Sequence, residues 1–465
     1  MPIKTLLFLL LFAGCALGAL LLPEWGALGY VAHYLIGPER QWWHAPLAGL
    51  GVRYSYTLAL ATGIGIVLHW KKLRIGKTIL TGQEMLLLLF LGLIWLTVLL
   101  GERTQAKYLI VDHPSIKMTK TLVFVLMLTH VATTMRTVHR LFWVLTLGAL
   151  VLGLQAYSTP LSAFTAGRLE TVGGTDFSTS NHLGGVLAAL LFIIGVQFLR
   201  SRWLGKGVCL LAGAFAANAI ILTRSRGALL GIVSGGVVAL LLAPKKQRVK
   251  IFAGLLIAGA AIIYLTDPSF RHRAGTIMQD SEKRDTSAQS RLEIWQGAWR
   301  MFLDHPLGVG AGNFYQNIGR YTPAHPEMDA HSTVLRCAAE LGWPGLLLLG
   351  SMVLNAVAIL RRTMVKAQQL QAARRAGLLW LCYGTLTSLV ALLTYGLTGS
   401  LVYMESLWWL LALPTCLQRV VENLLADESA ARADESAAAP APAGRKGPPV
   451  RRGRPGFAPA RDFTP

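Results

Sequence analysis

Five side chains in this sequence stand where proton transfer or the binding of negative charge could take place: His331, Arg291, Arg226, Arg224 and Arg336. His331 lies where a long polar stretch, 286–345, turns into an apolar run. An imidazole in the first turn of a helix there feels the positive end of the helix dipole, which disfavours its protonated form. Such a group is largely neutral near pH 7 and can accept a proton. A cap or a plain hydrogen-bonding group suits the same position, and position alone does not separate these readings. Arg336 follows about one and a half turns later.

Arg224 and Arg226 occur in Leu222-Thr223-Arg224-Ser225-Arg226-Gly227, between two apolar runs with no room for a real loop. An arginine at membrane depth costs roughly 2.5–3.5 kcal/mol on insertion scales and is usually functional. In an unbroken helix, residues two apart point about 200° apart, so only a turn lets both reach one ligand. The competing reading is two arginines snorkelling to lipid headgroups. Arg291 opens an amphipathic segment, 291–303. Leu292, Trp295, Ala298, Trp299, Phe302 and Leu303 share one face, and Glu293, Arg300 and Asp304 the other. Thr286 and Gln289 have capping-box spacing before it. The pattern predicts an interfacial helix lying along a membrane. Arg291 falls within its apolar arc, so it either points into the protein or lipid or snorkels, stacked on Trp295.

Other polar features are weaker. Gly308-Val309-Gly310-Ala311-Gly312 lacks the Gly-Lys-Ser/Thr ending of a phosphate loop and reads as tight turns. Asn181 and His182 are polar but unspecific. No carboxylate pair or His/Asp cluster demands a metal. The five cysteines lie in apolar runs without ligand spacing and read as small buried hydrophobes.

The elements that must position these groups follow from composition. The chain is 53% hydrophobic and 14% charged, with a mean hydropathy of +0.49. That composition excludes an ordinary soluble domain and predicts an all-α polytopic membrane protein. Apolar runs at 4–22, 47–69, 83–100, 119–135, 141–157, 181–199, 207–223, 227–243, 250–266, 331–360, 378–397 and 405–422 predict about twelve transmembrane helices. The net charge of +21 is spread over connectors between alternate runs. That is the positive-inside pattern and argues against nucleic acid as a partner. Both termini are then cytoplasmic and 157–180 and 267–330 lie outside. The organisation expected is nine helices in 1–266, a large outer loop at 267–330, three helices in 331–425 and a disordered Ala/Pro/Arg-rich cytoplasmic tail at 426–465. Phe12-Ala13-Gly14-Cys15 loosely resembles a lipoprotein signal, but the apolar run continues past Cys15, so an uncleaved helix is expected.

Several motifs occur together in a fixed order. They are Thr223-Arg224-Ser225-Arg226-Gly227, then Arg291 with Trp295, then His305-Pro306 with Gly308-x-Gly310-x-Gly312-Asn313-Phe314, then His331, then Glu340-Leu341-Gly342-x-Pro344-Gly345. This set resembles the O-antigen ligase family, whose superfamily also holds O-antigen polymerases and protein O-oligosaccharyltransferases. Ser332 departs from the pattern, since many relatives carry Asn there. The resemblance implies a GT-C-like glycosyltransferase of the bacterial inner membrane, active on the periplasmic side with neither metal nor ATP. The implied donor is undecaprenyl diphosphate-linked O-antigen and the implied acceptor a sugar hydroxyl of the lipid A-core, attacked in line with inversion. Departure of a lipid diphosphate develops negative charge. Arginine forks match phosphate oxygens, so Arg224, Arg226, Arg291 and Arg336 are the expected substrate-binding set, with His331 as base. A transporter for a lipid-linked glycan would also use arginines within the membrane. It should show two matching halves with broken helices, and no convincing internal repeat is visible.

Overall fold

The computed structural model describes residues 2–76, 78–101, 113–165, 167–177, 179–265 and 286–438. The part of the expected outer loop at 267–285 and the part of the expected tail at 439–465 fall outside the described residues. Secondary structure among the described residues is helical, apart from one isolated antiparallel bridge between Thr165 and Arg168.

In chain order the helices are α1 (Ile3–Leu21), α2 (Glu24–Ile36), α3 (Ala45–Ala48), α4 (Tyr54–Leu68), α5 (Gly82–Leu100), α6 (Pro114–Val131), α7 (Met135–Ser158), α8 (Ser180–Arg200), α9 (Trp203–Thr223), α10 (Arg226–Leu242), α11 (Arg248–Leu265), α12 (Thr286–Asp304), α13 (Phe314–Tyr321), α14 (Thr333–Lys366), α15 (Ala372–Gly396) and α16 (Glu405–Ala438). Seven of them, α1, α5, α7, α8, α9, α14 and α15, are long and apolar enough to cross a membrane. Large side chains such as Leu10 and Leu17 of α1, Leu99 of α5 and Leu354 of α14 point outward and exposed. A bundle with a packed interior and an apolar exterior is a polytopic helical membrane protein.

The bundle has two distinct ends. One gathers the basic connectors, where Arg74 pairs with Asp427 at 2.6 Å and Lys366 with Glu422 at 2.8 Å. The other gathers the 159–177 connector, the starts of α8, α10, α14 and α16, and the helices α12 and α13. We call these the basic end and the site end.

The first helices depart from expectation. The run expected at 47–69 is broken by glycines, and α4 starts only at Tyr54. α2, which the apolar runs did not reveal, runs the length of the bundle. Glu24 at its start bonds Arg140 (2.5 Å) at the basic end. At its other end the Ile36 carbonyl accepts from Gln155 (2.8 Å), and Tyr34 donates to Asp176 (2.8 Å) at the site end. With this added pass, the start of α1 lies at the site end, where the Trp43 carbonyl accepts a hydrogen bond from Thr5. The end of α16 lies at the basic end. The start of α1 and the end of α16 therefore lie at opposite ends of the bundle, where the expected topology puts both on one side. The expected tail also starts later than 426, because α16 continues to Ala438 and buries Glu428, which accepts from the Gln371 amide at 3.3 Å.

α12 forms where the amphipathic pattern places it, but its apolar arc is divided. Ile294, Ala298, Met301 and Phe302 are buried against α13 and the start of α14. Trp299 and Leu303 stay exposed, as do Leu307 and Trp343, and the Phe302 ring packs between those of Trp299 and Trp343.

Candidate functional site

The arginine motif is a helix break. Arg224 ends α9 in the left-handed region (φ 50°, ψ 34°), a conformation uncommon for a non-glycine residue. Ser225 then caps α10, its hydroxyl accepting from the Ala228 amide at 3.3 Å. Arg226 thus begins a new helix, and the turn needed to bring both arginines to one end is present. The 165–168 bridge is pinned to this break by the Leu169 amide, which donates to the Leu222 carbonyl at 3.1 Å. The Arg224 guanidinium packs against Gly167. Arg168 joins the cluster in this way, a residue that sequence reasoning missed. Its only signal was a charge in a short connector on the side that positive charge avoids.

His331 lies just outside α14. The helix begins at Thr333, and the Ser332 side chain caps it by accepting from Leu335 N at 3.4 Å. The expected placement of His331 in the first helical turn is therefore corrected by two residues, and the departure at Ser332 serves as the cap. His331 itself is left-handed (φ 46°), and such backbone strain clusters at functional sites. Its backbone N–H donates to Asp329 Oδ2 at 3.2 Å, and its Nδ1 lies 3.5 Å from the same oxygen. Its side chain keeps 27% exposure. The segment is fixed from α12, where Trp295 Nε1 donates to the Ala330 carbonyl at 2.8 Å. Asp329, missed in the sequence, was legible only as a carboxylate two residues before the histidine.

The Arg336 guanidinium pairs with Asp329 (3.1 Å) and Glu340 (3.4 Å), donates to the Tyr315 hydroxyl (3.1 Å) and stacks near the Tyr315 and Tyr403 rings. It is 8% exposed. A guanidinium held between two carboxylates has its charge balanced internally, and through this pairing Arg336, expected in the substrate-binding set, also holds Asp329 in place.

Electrostatics bring the remaining groups together. Burial lowers the Arg291 pKa from its ordinary value, and Arg226 and then Arg168 lower it further. Three cationic groups from α10, α12 and the 159–177 connector therefore act on one place. Arg291 Nε is buried without a hydrogen-bond partner among the described residues. Burial also lowers the His331 pKa; Asp329 opposes the shift, while Arg291, His182 and Arg168 reinforce it. His331 is thus held neutral at physiological pH. Burial alone would raise the Asp329 carboxyl, but Arg336 and His331 outweigh that and hold it below its ordinary range. His182, unspecific in the sequence, stands within electrostatic reach of Asp329, Asp176 and Lys117.

The glycine-rich segment works as a cap. Gly308, Gly310 and Gly312 all have positive φ. The Val309 and Gly310 amides donate to the Ala339 and Glu340 carbonyls at 2.9 and 3.0 Å, where α14 breaks at Gly342 (φ 63°) before Pro344. A methyl group at Gly308 would collide with the Glu340 carbonyl, and one at Gly342 with Pro306 and Leu307. These two motifs lock the short first part of α14, which carries Arg336 and Glu340, against the loop. Among the described residues no three His, Cys, Asp or Glu side chains gather as metal ligands.

No curated protein matches the chain. Residues 208–350 match the family model described as O-antigen ligase. That segment contains the Arg224–Arg226 break, Arg291, the glycine cap, Asp329, His331 and Arg336. Through this segment the chain is similar to the O-antigen ligase family.

Proposed function

We propose that the protein is an O-antigen ligase of the bacterial inner membrane, a GT-C-like glycosyltransferase with its site end facing the periplasm. It transfers O-antigen polysaccharide from undecaprenyl diphosphate to a sugar hydroxyl of the lipid A-core oligosaccharide. The observation that carries this reading is the convergence of two charge systems. A strained, neutral histidine is oriented by Asp329. Beside it, Arg291, Arg226 and Arg168 are close enough to oppose one another's charge. An anion relieves that repulsion, and the planar forks suit phosphate oxygens.

The reaction balances without another reactant. The acceptor hydroxyl oxygen attacks the anomeric carbon as the bond from that carbon to the phosphate oxygen breaks. Undecaprenyl diphosphate leaves with the bonding pair, its charge stabilised by Arg291, Arg226 and, at the rim, Arg224. His331 takes the acceptor proton. Nδ1 faces Asp329, which leaves Nε2 for the acceptor. In-line attack inverts the anomeric centre. Because side chains supply the positive charge, the step requires neither metal nor ATP. The exposed Trp299, Leu303, Leu307 and Trp343 suit seating in the membrane interface, where the lipid tail of the donor lies.

Transfer by the purified protein, given lipid-linked O-antigen and two competing acceptors, tests the reading. Lipid A-core is expected to be glycosylated. Extension of a second lipid-linked glycan would make the protein an O-antigen polymerase, glycosylation of a protein would make it an O-oligosaccharyltransferase, and no product with any acceptor would sink the proposal.

A further inference from the structure

Tyr395 stands at the junction of the helices that build the site, and its role in the reaction described above is unassigned. It lies near the end of α15 and has no exposure to solvent. Its ring is enclosed by glycines from three elements. A methyl group at Gly185 of α8 or at Gly399 in the α15–α16 loop would collide with the ring, and one at Gly227 of α10 would press on it. Gly227 follows Arg226 directly. Gly399 is tied to the start of α14, because Thr333 Oγ1 donates to its carbonyl at 2.7 Å and accepts from the Leu401 amide at 3.0 Å. The tyrosine is thus wedged between the helix that starts with Arg226 and the helix that starts two residues after His331.

This tight seat leaves the hydroxyl without a partner. Tyr395 Oη is buried and makes no hydrogen bond among the described residues, an unfavourable arrangement that native interiors usually avoid. The hydroxyl lies against Gly399, whose carbonyl is held by Thr333, two residues after His331. Arg291 Nε is likewise buried and unpartnered. Two buried donors, with Arg226 and Arg168 nearby, call for an acceptor with several lone pairs. A diphosphate has them. An acceptor sugar hydroxyl, which offers its proton to His331, does not need this pair of donors.

Resting on the proposed transferase reading, we propose that the Tyr395 hydroxyl donates a hydrogen bond to a diphosphate oxygen of the lipid-linked donor, alongside Arg291. Tyr395→Phe removes that bond and keeps the ring that the glycines enclose.

The test uses the full chain in phosphatidylcholine nanodiscs, with undecaprenyl diphosphate as probe and three forms: unmodified, Tyr395→Phe and Arg291→Ala. The expected result for Tyr395→Phe is a loss of probe affinity of about 10–100-fold, as for a hydrogen bond to a charged group. KM for the glycan donor should rise with kcat nearly unchanged, and the thermal midpoint without ligand should stay equal or rise, because an unsatisfied buried hydroxyl is gone. Unchanged affinity in Tyr395→Phe with lost affinity in Arg291→Ala would overturn the role of Tyr395 alone. A lowered ligand-free midpoint with unchanged KM would make the residue structural and overturn it too. Displacement of the probe by phosphatidylglycerol at equal potency would show a general headgroup site and overturn the diphosphate assignment. No binding to the unmodified protein would overturn both this proposal and the function on which it rests.

Discussion

Each end of the bundle buries an arginine in an ion pair, with one carboxylate at the basic end and two at the site end, and the two networks end differently. At the basic end, Arg419 and Glu84 pair at 2.9 Å with side-chain exposures of 1% and 0%. The same guanidinium donates to the Thr129 carbonyl at 2.7 Å and the Ile79 carbonyl at 2.8 Å, tying α16 to α5 and α6. The network is closed on all sides by protein. At the site end, Arg336 is also buried, though less completely (side-chain exposure 10%), and holds Asp329 and Glu340. There the chain of contacts runs on from Asp329 to a partly exposed His331 and to the cationic group around Arg291. The first network uses its hydrogen bonds to hold helices together. The second also ties elements together, but its contacts run on to the partly exposed His331. Burial of charge is common to both, so it does not mark function by itself; the open side does.

The contrast can be broken most severely at the cations. Arg291→Ala or Arg226→Ala should abolish transfer while the thermal midpoint holds, and lysine at either site should rescue poorly because it lacks the fork. Full activity in Arg291→Ala would remove that residue from the site. Next in size is the base. His331→Ala should cut single-turnover transfer about 10²–10⁴-fold with donor affinity nearly unchanged. His331→Gln retaining most of the rate, with affinity lost in His331→Ala, would instead assign the imidazole to donor binding.

The closed network should respond in the opposite currency. Arg419→Ala leaves a buried carboxylate unpaired and should cost about 3–5 kcal/mol of stability, read as a lower midpoint in detergent, with normal turnover per folded molecule. Normal stability there would erase the distinction between the two ends. A smaller effect is expected at Asp329. Asp329→Asn should lower turnover about 10–100-fold, the range for loss of a partner that orients a working group. It should also move the pH profile. The folded His331 pKa lies below its ordinary value, so the rate holds as pH falls until that pKa is crossed and then declines. Asp329 raises the His331 pKa, so its removal should shift the acid limb to still lower pH. An unmoved limb would detach Asp329 from the base. The smallest effect should be that of EDTA, which is expected to leave transfer intact; loss restored by a divalent ion would replace the arginine account with a metal one.

Much of the site was legible because its groups break local rules of composition. Arg224 and Arg226 interrupt an apolar run, Arg291 sits on the wrong face of an amphipathic helix, and His331 marks a polarity boundary. Each is an exception to a pattern read along the chain. Asp329 and Tyr395 break no such pattern, and Arg168 breaks one only as a single positive charge in a short, expected outer connector. Asp329 meets its partners through the turn before α14, whereas Arg168, through its neighbour Gly167, meets Arg224, and Tyr395 meets Gly185 and Gly227, only by tertiary packing. Arg336 lies in the expected stretch of sequence, but its partner, Asp329, had not been recognised. The fold was legible wherever helices were long and uniformly apolar. It was missed at α2, whose Gly, His and Tyr residues and 13-residue length fall below any span-sized window.

That short helix also changes how sidedness must be reckoned. One pass more or less inverts the parity of everything before it and leaves everything after it untouched. A count begun at the first residue carries the error forward through the Arg224–Arg226 break, Arg291 and His331. A count begun at the basic connectors of α7 to α15 and worked backwards reaches the same groups before α2 can intervene. For this chain, orientation is fixed from the middle outward, and the first two helices are the part whose compartment follows last.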